Sequence, residues 1–168
     1  MMRLWRLLLL FVVIGFGLSL PVRAGADAYW QSFERLDSID RLYAAQALAP
    51  NFGGNPGLWP DWLDPRAVLI PITHGQGDLL VIRQPLHAPC GQFGFTVFGP
   101  ASPQGGRDRL GGDFCAGDLV VVPTPHRWLP DLRFVEGRQK DAATGQWRRK
   151  DQRVRWTGTD WVLILDKG

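Results

Sequence analysis

AVLIPITHGQGDLLVIRQ, residues 67–84, holds two apolar runs separated by four residues that contain two glycines. Each run is rich in Val, Ile and Leu, too short for an ordinary helix, and bounded by Gly or Pro. That pattern predicts strands over 67–73 and 78–84 with a turn at 74–77. Asp78 follows the turn glycine, where its carboxylate can accept from nearby backbone amides before a buried strand begins. The Gly-Asp-Leu start recurs at Gly117-Asp118-Leu119, and Pro130-Asp131-Leu132 is a partial third copy. Two copies with different continuations are too few for a blade or solenoid array, so shared turn chemistry is the simpler reading.

The same signals predict strands over 93–99, 118–124 and 132–138, then two closing hairpins, with 146–156 after the turn-like DAATG and 160–166 after Thr157-Gly158-Thr159. Between them, GPASPQGGRDRLG (99–111) reads as a long loop. Upstream, Tyr29, Trp30, Phe33, Leu36, Ile39, Tyr43 and Leu48 recur at near-helical spacing. They predict an amphipathic helix over 27–49, with Asp27 as N-cap and Pro50 as terminator. A split at Leu36-Asp37-Ser38 would let Asp37 or Ser38 cap a second segment. Residues 50–66 carry Trp59 and Trp62 among prolines and glycines without periodicity, as a loop does. The expected fold is mainly β, of the α+β kind. An N-terminal helix packs on an antiparallel sheet or small β-sandwich, in a single domain of residues 27–168, with 67–168 β-rich.

Residues 1–26 read as a secretory leader: Arg3 and Arg6, an apolar run from Leu7 to Leu20, then Ala24-Gly25-Ala26 or Val22-Arg23-Ala24 as the cleavage pattern. The run is shorter than the roughly 20 residues of a membrane span, so no span is expected after cleavage and the compartment is periplasmic or extracellular. The formal charge of +3 loses Arg3, Arg6 and Arg23 with the leader, which leaves the mature domain near neutral. Nucleic acid is therefore not an expected partner. Charge is uneven all the same: residues 27–64 carry six acids against Arg35 and Arg41, whereas 127–155 carry nine bases against four acids.

The two cysteines, Cys90 and Cys115, are expected to form a disulfide in an oxidising compartment. His74-Gly75 followed by Cys90 resembles the L,D-transpeptidase family, whose motif is His-Gly and then Ser-x-Gly-Cys-x-Arg. His87-Ala88-Pro89 replaces the Ser and Gly, and Gln92 stands where the Arg belongs, so only His74, Gly75 and Cys90 carry over. His74, His87 and His126 are the only histidines and are weak zinc candidates, because none has metal-ligand spacing. No serine-hydrolase elbow, phosphate loop or redox CxxC is present, and no cofactor is expected.

What stands out is aromatic: Trp59 and Trp62 on the Pro-rich loop, and Trp128 beside Arg127. Exposed tryptophans beside charged residues suit contact with a protein or a cell-wall glycan. The expectation is an exported, non-enzymatic binding or accessory protein of the cell envelope, acting through aromatic loops and a basic face. The alternative is a small envelope hydrolase or transferase using His74, Asp78 or Cys90.

Overall fold

The structure is a computed structural model that describes residues 26–27, 30–72, 75, 77–85, 92–125, 127–141 and 143–164. In chain order its elements are β1 (Ala26–Asp27), β2 (Gln31–Ser32), α1 (Ser38–Phe52), β3 (Arg66–Pro71), β4 (Asp78–Pro85), β5 (Phe93–Phe98) and β6 (Arg109–Ala116). Then follow β7 (Asp118–Val122), β8 (Asp131–Val135), β9 (Arg138–Lys140), β10 (Trp147–Arg149), β11 (Gln152–Trp156) and β12 (Trp161–Ile164). Two five-stranded antiparallel sheets, β2-β3-β4-β5-β6 and β1-β7-β8-β11-β12, carry most of the chain, and β9-β10 form a separate ribbon.

The apolar run of β4 explains the layering. Leu79 and Val81 join Phe95, Val97, Leu132, Phe134 and Val154 in the core between the two sheets. Leu80 and Ile82 point the other way and meet Ala44, Ala47 and Leu48 of α1. A strand buried on both faces reads as continuous rather than alternating apolar sequence. The resulting order is α1, then the β2–β6 sheet, then the β1–β12 sheet. The mainly β class with antiparallel sheets and, among the described residues, one α-helix is what the structure shows, as expected from the sequence.

Four expectations are corrected. The helix starts at Ser38, not residue 27, and Asp27 lies in β1 opposite Val120 rather than capping a helix. Its cap is Asp37, whose carboxylate accepts from the Asp40 amide at 2.7 Å. Trp30, Phe33 and Leu36 imitated a helical stripe because the chain there passes from one core to the other: Trp30 packs on the inter-sheet core, Phe33 and Leu36 on the helix side.

Pro50 does not end the helix. Lacking an N–H, it forfeits one bond in the last turn, yet the helix continues to Phe52 and closes where the Gly53 amide, at φ 77°, donates to the Ala49 carbonyl.

The loop read over 99–111 is shorter, because β6 begins at Arg109. RLGGDFCA has no β-branched residue and two glycines, so pairing with β5, through two register irregularities, outweighs weak local preference. Gly111 is required there: at φ 137°, an added Cβ would stand 3.0 Å from the Trp161 ring. The stretch 146–156 is likewise two strands, β10 and β11, broken where the Lys150 amide donates to the Gly137 carbonyl.

The predicted leader is outside the described residues except for Ala26. The Cys90–Cys115 bridge is not shown, because Cys90 also lies outside them; Cys115 sits on β6 opposite Gly94 and is not free. No helix among the described residues is long and apolar enough to cross a membrane.

Candidate functional site

A cleft of about 360 Å³ opens between the turn before α1 and the loop after it. Its lining combines Phe33, Trp59, Leu63 and three prolines with the charged residues Glu34, Arg41 and Asp61. Each side of the cleft is fixed by local chemistry. Phe33 and Glu34 stand on a 3-10 turn (Phe33–Arg35) that leads from β2 to the Asp37 cap. Asn55 accepts from the Gly57 amide and starts a second 3-10 turn at Pro56. Trp59 then folds back: its indole Nε1 donates to the Gly53 carbonyl at 2.9 Å, and its ring meets Phe33 edge-on at 5.2 Å. Leu63 closes the far side: its backbone amide donates to the Pro60 carbonyl and its side chain is buried.

The charges at this cleft differ from the others in the same acidic segment. Asp37 caps α1, Asp64 pairs with Arg66 at 2.6 Å, and Asp40 is buried against Arg107 at 2.8 Å. Glu34, Arg41 and Asp61 are exposed, and their side chains make no ion pair or hydrogen bond among the described residues. Leu58, beside the cleft, is 79% exposed, and Trp62 is 55% exposed with its ring edge-on to Phe52.

The other sequence candidates lie elsewhere. Trp128, 48% exposed, packs over Gly75 in the turn after β3, where an added Cβ would be 2.9 Å from the indole nitrogen. Pro65 borders the cleft at the opposite end of β3, a six-residue strand, so roughly 20 Å separates the two aromatic loops. Arg127 is exposed beside Trp128. Trp59 and Trp62 thus share one loop, and Arg127 and Trp128 belong to another. Phe33 and Glu34 escaped the sequence reading because their segment looked helical. Asp61, between Pro60 and Trp62, was accessible to it through its neighbours alone.

Part of the basic stretch is committed to ion pairs within the fold. Asp131, with a fully buried side chain, holds Arg153 and Arg155 at 2.8 and 2.7 Å, and Asp151 holds Arg133 at 2.6 Å. Burial pushes the Asp131 carboxyl up, but hydrogen bonds from Arg155 and Arg153 outweigh it and leave the group below the usual carboxylate range. Of the residues in the enzymatic alternative, Asp78 is committed to Arg107 at 2.8 Å. His74 and Cys90 fall outside the described residues, as do His87 and His126. Among the described residues, no group of His, Cys, Asp or Glu is arranged to hold a metal ion.

The fold and site together define a helix-backed antiparallel β-sandwich with an aromatic, charge-rimmed cleft on the helix side. Comparison with protein-family models, with curated proteins and with solved structures finds no match to this chain.

Proposed function

We propose that the protein is an exported binding protein of the cell envelope and that the Phe33–Trp59 cleft is its ligand-contact surface, for a protein or a cell-wall polymer. The observation that carries this reading is that Trp59 is held in the wall of an open cleft by its own hydrogen bond, beside charges that have no internal partner. A ring already fixed in place contributes contact area at little entropic cost on binding. The leader-like residues 1–26 supply the export part of the reading. A disulfide between Cys90 and Cys115 fits the same compartment.

The test follows the indole N–H resonance of Trp59, assigned by its loss in Trp59→Phe. Muropeptides and then purified soluble envelope proteins are added to the natively exported protein. The reading expects this resonance to shift while that of Trp128 stays in place. No Trp59 shift with either class, at millimolar muropeptide, contradicts it.

A further inference from the structure

From the chemistry of the cleft rim, and resting on the reading of the cleft as the contact surface, we infer that it takes a cationic side chain. Specifically, it takes an arginine presented by a segment of a partner protein. Size sets the first limit. At about 360 Å³ the cleft stands near the lower end of ligand pockets, roughly 300–1,000 Å³. That is room enough for one anchoring side chain.

Charge sets the second limit. Residues 27–64 carry six acids, of which Asp37, Asp40 and Asp64 are consumed by a helix cap or an arginine. Glu34 and Asp61 are left unpaired at the cleft, opposed there only by Arg41. Two carboxylates against one cation leave a net negative rim over an apolar floor, where incoming positive charge is favoured and an anion is repelled.

The rings set the third. The indole N–H of Trp59 is already spent on the Gly53 carbonyl, so the residue offers ring surface and no donor. Ring surface beside carboxylates suits a guanidinium, which stacks on an aromatic face while its edge donates to carboxylate oxygens. The chain already uses this chemistry internally: the Arg83 guanidinium lies 4.7 Å from the Trp30 centroid and 4.4 Å from that of Phe93.

The test uses fluorescence anisotropy with a dye-labelled, end-blocked peptide of Gly, Pro and Arg, and a second peptide in which citrulline replaces each arginine. Citrulline keeps the shape and removes the charge. The arginine peptide is expected to bind the exported protein about tenfold or more tightly than the citrulline peptide, with affinity falling as salt rises. Glu34→Gln combined with Asp61→Asn should remove that preference, and both replacements are at exposed positions. Equal binding of the two peptides, or an unchanged preference in the double variant, overturns the cation inference. If muropeptides bind instead and Trp59→Ala abolishes their binding, the cleft stands as the contact surface but its ligand is glycan. If Trp59→Ala alters the binding of no probe, both readings fall.

Discussion

Two loops lie against α1, and they use their charges in opposite ways. The loop of residues 99–108 is pinned by Arg107, whose side chain is 6% exposed. Its guanidinium donates to the Asp40 carboxylate, the Asp78 carboxylate, and the carbonyls of Asp78 and Gly99, all at 2.8–3.0 Å. Its backbone amide donates to the Tyr43 hydroxyl. Almost every donor is used internally, and the loop is a strut. The loop of residues 53–65 fixes its backbone and the Trp59 ring just as firmly, but leaves Glu34, Asp61 and Arg41 unpaired at its edge. The contrast separates polar groups that hold the fold from polar groups that are available to a ligand.

The largest effect expected from this contrast is on stability. Arg107→Ala would leave Asp40 buried without its cation, which costs about 3–5 kcal/mol in comparable buried pairs. Urea unfolding of the purified protein would measure it. A loss below about 1 kcal/mol would show that the 99–108 loop is no more structural than the cleft loop, and the distinction would fail. Asp40 itself lies above the usual carboxylate range, because burial outweighs the attraction of Arg107.

A second, smaller effect appears with pH. Asp131 is held below its ordinary value, so the stability it contributes is present above its unfolded pKa and lost as pH falls through its folded pKa. Asp40, displaced the other way, contributes with the opposite sign: acid favours its folded, protonated form. Unfolding midpoints of the wild type and Asp131→Asn should therefore converge as pH drops below the ordinary carboxylate range. Midpoints that stay equally far apart down to the acid transition would show that the Asp131–Arg153–Arg155 cluster carries no acid-sensitive stability.

Much of this architecture was legible in the chain. The runs at 67–73, 78–84, 93–99 and 118–124 become β3, β4, β5 and β7 because dense Val, Ile, Leu and Phe favour strands wherever a core covers them. β6 was hidden, since Gly111 and Gly112 weaken local preference and only pairing with β5 specifies the strand. The helix start was misplaced because residues that alternate between two cores can mimic a 3.6-residue stripe, as Trp30, Phe33 and Leu36 do. Trp59 and Trp62 were visible as candidates from composition alone. That Glu34 and Asp61 remain unpaired became visible only once Asp37, Asp40 and Asp64 were seen to be engaged, which is a three-dimensional fact.

The smallest structural perturbation distinguishes the 53–65 loop from the Trp128 loop as the surface that meets the ligand. A photocrosslinking residue placed at Leu58, whose side chain projects into solvent beside the cleft, is compared with one at Trp128 in the exported protein. A discrete adduct is expected from position 58, abolished by Trp59→Ala, and none from position 128. An adduct from position 128 alone, or one from position 58 that survives Trp59→Ala unchanged, would contradict this expectation.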